Sequence, residues 1–137
     1  MESPATAPKK RLLVIDDEAD LVEVLKVKFQ NFGFEVLTAP EGREGFRKVK
    51  EGNPDCVLLD IRIREGEDGL TFLRKLRSYR DEDFEIQSRI RRIPVIVLTS
   101  AGDSMRALFE AEGITDFVIK PYDDEDLKNR ILKAVGG

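Results

Sequence analysis

The sequence predicts an α/β domain, a parallel sheet of five strands with helices on both faces. Three observations predict it. Short apolar runs alternate five times with segments of helical periodicity, the pattern of βα units rather than hairpins. The runs at 12–15, 56–59 and 94–98 are almost continuously apolar, as strands are when both faces of a sheet are covered. Gly and Pro punctuate the boundaries, at Gly33, at Gly52-Asn53-Pro54, at Pro94 and at Gly113.

Taken in order, residues 12–15 form the first strand, which ends at Asp16. Residues 20–32 form a helix with Leu21, Val24, Leu25, Lys28 and Phe32 at helical spacing, and Gly33 stops it. FEVLTA, 34–39, is a second, weaker strand. Residues 41–50 make a short helix with Phe46 and Val49 inward. The third strand, 56–59, runs straight into Asp60. Gly69 opens a helix with Leu70, Leu73 and Leu76 on one face. Pro94 fits the first residue of the fourth strand, which runs into Thr99 and Ser100. Asp103 is expected to cap a helix through Ala107, Leu108 and Ala111, ending at Gly113. Residues 117–119 are the fifth strand, followed by Lys120. The last helix, 123–135, has Leu127, Ile131 and Val135 in phase.

A chain of 137 residues is one domain with an ordinary core. Residues 1–9 read as a flexible tail rather than a signal peptide, and 10–137 as the domain. Hydrophobic content of 41% with 36% charged residues describes a soluble globular chain, and no run approaches a membrane span. The single Cys56 lies in an apolar run, reads as a small buried hydrophobe and cannot form an internal disulfide. These points favour a reducing, cytoplasmic setting. There is no histidine, which excludes Ser-His-Asp and Cys-His catalysis and the common zinc sites. A net charge of −4 argues against direct nucleic-acid binding by this domain. Residues 62–92 hold nine Lys/Arg and seven Asp/Glu, about +2, so the rest of the chain carries about −6.

In a parallel α/β sheet the functional crevice lies beyond the carboxyl ends of the strands. Asp16-Asp17, Asp60, Thr99 and Lys120 all stand at such ends, so the topology gathers them on one rim. Clustered carboxylates repel, and a divalent cation relieves that strain. Oxygen-only ligands suit Mg²⁺, with Mn²⁺ as the other candidate. A metal, a lysine and a hydroxyl around one carboxylate make a phosphoryl site with Asp60 as nucleophile.

VIDDE (14–18), VLLDI (57–61), VLTSAGD (97–103) and DFVIKP (116–121) fall in order, each at a strand end. With these stretches the chain resembles the receiver domain of bacterial two-component response regulators, over residues 10–135. The resemblance implies a doubly wound, flavodoxin-like (βα)₅ fold with strand order 2-1-3-4-5. It implies that Asp60 accepts a phosphoryl group from a phosphohistidine on a sensor histidine kinase or a histidine phosphotransfer protein. Asp17 would ligate Mg²⁺, with Asp16 assisting directly or through water, Asp60 itself, and the backbone carbonyl of Arg62. Lys120 would bind a phosphoryl oxygen, and Thr99 would swing toward it. Ser100 and Ala101 would line phosphoryl access. Phe117 stands at the switch-aromatic position, and the Lys120–Pro121 bond would be cis. The chain would catalyse only its own phosphorylation and dephosphorylation. It would control a downstream output domain or protein, as a monomer or a phosphorylation-dependent homodimer, without membrane contact.

Two stretches depart from the family pattern. Arg64 stands where a proline is usual, and Gly69 falls nine residues after Asp60 rather than eight, so the 61–69 loop carries one extra residue. Arg62 and Arg64 either reach over the pocket or stay in solvent. SYRDEDFEIQSRIRR, 78–92, lengthens the link before the fourth strand by about eight residues. It extends the third helix or forms a separate short helix, and serves as a tolerated insertion or as a partner or dimer surface. The fourth helix of the family pattern is one residue short, which bears on how that face would dimerise. A receiver-like adaptor that works without phosphorylation is the alternative reading. An aspartate-based phosphatase is disfavoured, because Arg62 stands where its second carboxylate belongs. Whether the chain stands alone or belongs to a longer regulator is open at this point.

Overall fold

The computed structural model describes residues 9–61 and 66–136. The elements run β1 (Arg11–Ile15), α1 (Ala19–Asn31), β2 (Glu35–Ala39), α2 (Gly42–Gly52), β3 (Cys56–Ile61) and α3 (Gly66–Arg77). They continue with α4 (Phe84–Arg91), β4 (Val95–Thr99), α5 (Arg106–Glu112), β5 (Asp116–Ile119) and α6 (Asp124–Ala134). The five strands form one parallel sheet in the order β2-β1-β3-β4-β5, as expected.

Strand alternation splits the core in two. Leu12, Val14, Cys56, Leu58, Ile96 and Leu98 face α1 and α6, where Leu25, Phe29, Leu127 and Ile131 meet them. Leu13, Ile15, Val57, Leu59 and Val97 face α2 to α5, where Val49, Leu73, Ile90 and Phe109 meet them. Asn53, in the left-handed region at φ 52°, ends α2 just before Pro54.

Two helix faces differ from expectation. In α1, Val24 is 56% exposed and the buried pair is Leu25 and Phe29, because the Phe29 ring packs between Phe32 and Phe34. In α5, Leu108 is 50% exposed and Ala107 and Ala111 also face out, while Phe109 turns fully inward. Phe109 lies over Gly69 of α3, where an added Cβ would stand 3.3 Å from the ring, so one large aromatic sets the phase of the helix. Asp103 is no cap, since α5 begins only at Arg106. At its other end Gly113 closes α5 with φ 96°, as expected.

The 78–92 stretch is a separate helix folded back on the domain, not an extension of α3. Asp83 caps α4 by accepting from Glu85 N at 2.9 Å and Ile86 N at 3.3 Å. The Tyr79 hydroxyl donates to Asp81 at 2.7 Å, and its ring meets Phe46 of α2 edge-on at 5.7 Å. Arg77, half-buried, donates to the carbonyls of Arg91, Ile93 and Gly113 at 2.9, 2.7 and 2.8 Å. Ile90 is buried beneath, whereas Phe84 points to solvent. Ile90→Val is therefore expected to cost about 0.5–1.5 kcal/mol, and Phe84→Ser no more than about 0.5 kcal/mol. Urea denaturation of both variants checks this, and equal costs would contradict the packing.

Candidate functional site

The register of the sheet assembles the site rung by rung. Ile15 pairs with Leu59, so the next rung of the β1–β3 pair carries Asp16 beside Asp60. Asp60 in turn pairs with Leu98, and Ile61 with Thr99, which sets Thr99 one rung further on. Thr99 pairs with Ile119, and Lys120 follows, its N–H donating to the Thr99 carbonyl at 2.7 Å. Asp60 is the penultimate residue of β3 rather than its successor, because the apolar run resumes at the buried Ile61.

The Lys120 ammonium donates to Asp60 Oδ2, and the Asp60 side chain is only 4% exposed. Burial pushes the Asp60 carboxyl up from 3.8 to about 6. The Lys120 hydrogen bond works against that rise, and the neighbouring Asp16 charge adds to it. Asp16 is buried, and its Oδ1 accepts from Glu18 N at 3.0 Å, an Asx turn that orients the carboxylate rather than a cap on α1. Asp17 is exposed at the rim of a 270 Å³ cleft that also includes Asp16, Asp60, Glu41, Gly42 and Gly69.

Thr99 is fully buried, and its Oγ1 accepts from Ala101 N at 2.9 Å. Ser100 is exposed and Ala101 half-buried. Phe117 lies inward, 4% exposed, with its ring centroid 6.5 Å from that of Phe109. The Lys120–Pro121 bond is cis. Arg62, with its carbonyl, and Arg64 lie outside the described residues, as does most of the tail at 1–8. The sequence reading did not name Pro40, Glu41 and Gly42, which wall the cleft beside β1. The available signal was the Ala39-Pro40-Glu41 turn at the end of the strand next to β1 in the predicted order.

The donor set suits a hard divalent ion. The opposition between Asp16 and Asp60 is the kind a cation relieves, and every candidate donor is an oxygen. Among the described residues no group of three or more carboxylates is placed to hold a metal ion.

The family model of the response regulator receiver domain matches residues 12–132. A probable transcriptional regulator ycf27 from Galdieria sulphuraria is 32% identical over 124 residues, 90% of this chain and 44% of that protein. The DNA-binding response regulator MtrA of Mycobacterium leprae is 30% identical over 90% of this chain and 50% of its own length. The chain thus spans about half the length of the curated relatives it matches. Among solved structures, a receiver domain protein from Clostridium thermocellum superposes with a TM-score of 0.75 at 31% identity, covering 93% of this chain and 94% of that one. The receiver domain of the Pseudomonas aeruginosa sensor histidine kinase PA1611, with a magnesium ion coordinated in its active-site cleft, gives a TM-score of 0.77 at 23% identity. It covers 95% of this chain and 100% of its own.

Proposed function

The chain belongs to the receiver domain family of response regulators, and we propose that it accepts a phosphoryl group on Asp60 from a phosphohistidine partner, a sensor histidine kinase or a histidine phosphotransfer protein. The observation that carries this is a buried carboxylate bonded to Lys120 and set beside Asp16 at the mouth of one cleft. An Asp60 carboxylate oxygen attacks phosphorus in line, forming the acyl–phosphate bond as the bond to the imidazole nitrogen breaks. Lys120 passes from the carboxylate to a phosphoryl oxygen. The Thr99 hydroxyl already accepts from Ala101 N, so its single O–H remains to donate to the phosphoryl group. Mg²⁺, held by Asp16, Asp17, Asp60 and the Arg62 carbonyl, would neutralise carboxylate and phosphoryl charge.

This is a signalling domain rather than an enzyme with a substrate of its own. Phosphorylation biases a two-state equilibrium that an output domain or protein reads.

Intact-mass spectrometry after incubation with acetyl phosphate tests the proposal. One Mg²⁺-dependent adduct, mapped to Asp60 after borohydride trapping, is expected. No adduct in the presence of Mg²⁺, or an adduct elsewhere, would turn the reading toward a phosphorylation-independent adaptor.

A further inference from the structure

On its outer side the Phe117 ring meets Arg106 of α5. The Arg106 guanidinium lies 4.8 Å from the ring centroid, and Phe109 lies against the ring within the core. Arg106 Nη1 also meets Glu110, one helical turn on, at 3.6 Å, which holds the guanidinium over the ring. The Arg106 side chain remains 41% exposed while Phe117 is buried, so the arginine forms the boundary between ring and water.

Arg106 also ends the loop that starts at Thr99. Ala101 N fixes the Thr99 hydroxyl at one end, and Arg106 N donates to the Asp103 carbonyl at 3.1 Å at the other. Thr99 and Phe117 sit on adjacent paired strands, Val97 opposite Phe117 and Thr99 opposite Ile119. The hydroxyl and the ring are therefore two points on one connected unit, and the arginine closes it.

We propose that Arg106 is a positioning residue for phosphoryl acceptance: stacked on Phe117, it anchors the β4–α5 loop and so keeps the Thr99 donor aimed at the site. The proposal rests on the phosphoacceptor reading of Asp60. Arg106 touches neither phosphoryl donor nor metal ligand in this reading and acts only through the ring and the loop. A cation–π contact at this exposure limits the effect to about two- to five-fold in rate.

The test uses the full chain with a fluorinated phenylalanine placed at position 117. Its ¹⁹F spectrum reports the ring environment without any phosphorylation. Initial rates of adduct formation from acetyl phosphate at saturating Mg²⁺ report the site. Arg106→Ala is expected to give a second, more exposed ¹⁹F environment and a rate about two- to five-fold lower. Arg106→Met covers the ring without a charge, so it should restore the covered ¹⁹F environment but not the rate, whereas Arg106→Lys should recover part of both signals. A merely structural role would be recovered by Met as well as by Lys. An unmoved ¹⁹F signal in Arg106→Ala overturns the proposal, as does a moved ring with an unchanged rate. If the parent chain itself takes up no phosphoryl group, the phosphoacceptor reading fails and the rate coupling with it, while the ¹⁹F shift separately shows whether the arginine holds the ring.

Discussion

Asp60→Asn is expected to take up no phosphoryl group and, without metal at neutral pH, to melt above the parent chain. The first effect follows because an amide offers no carboxylate oxygen to attack phosphorus. The second follows from burial. Asp60 ionises at about 6 in the fold against an ordinary 3.8, so folding favours its protonated form. The stability gained in that form is fully present below 3.8 and is lost as pH rises through about 6. At neutral pH the parent therefore holds a buried charge beside Asp16 that the variant lacks. A shift of roughly two pH units corresponds to a ceiling of about 3 kcal/mol. Asparagine also loses the charge-assisted bond to Lys120, which offsets part of this and leaves a net gain of about 1–2 kcal/mol. The gap should close as pH falls through 6 toward 3.8. Saturating Mg²⁺ should reverse the order, since an ion at about a hundred times its Kd stabilises the parent by roughly 2.7 kcal/mol. Calorimetry across pH, with and without Mg²⁺, measures the three stability effects, and intact-mass spectrometry the loss of phosphoryl uptake. A variant less stable than the parent at neutral pH without metal would show that the Lys120 bond outweighs the burial of charge.

The strands were legible because their physics is local. A run such as Cys56–Leu59, preceded by the Gly52-Asn53-Pro54 turn, has few alternatives to a doubly covered strand. The gathering of Asp16, Asp60, Thr99 and Lys120 was legible too, since a parallel sheet puts every strand's carboxyl end on one rim. Helix phase was less so. In α5 three small or aliphatic residues made the more regular pattern, yet Phe109 decided the face, because its ring is buried over Gly69, which has no Cβ to obstruct it. The same holds for α1, where the aromatic contacts of Phe29 override the spacing that pointed to Val24. The α4 segment left two outcomes open. The choice was made by long-range bonds, above all Arg77 donating to carbonyls up to 36 residues away. Arg106 over Phe117 belongs to the same class, since nothing in the local sequence says which ring a surface arginine will cover.

Lys120→Ala is expected to slow phosphoryl acceptance by about 10²–10³-fold while leaving the fold intact. Its backbone is fixed at the end of β5 by the bond of Lys120 N to the Thr99 carbonyl, and its ammonium reaches Asp60 across β4. That places one positive charge where negative charge spreads over the phosphoryl oxygens during transfer, at a site largely shielded from water. The same charge currently opposes the rise of the Asp60 carboxyl, so its removal drives Asp60 further up. The variant should therefore show a pH–rate profile displaced to higher pH as well as a lower plateau. Mg²⁺ affinity should hold or strengthen, because a competing cation has left the carboxylates. Lys120→Arg separates charge from geometry. A planar, bulkier guanidinium cannot occupy the compact ammonium's position between Asp60 and the incoming group, so arginine should recover only a minor part of the rate. Rates from acetyl phosphate at saturating Mg²⁺ over a pH series decide the matter. A plateau within a few-fold of the parent would remove Lys120 from the transfer step and assign it to holding Asp60 in place.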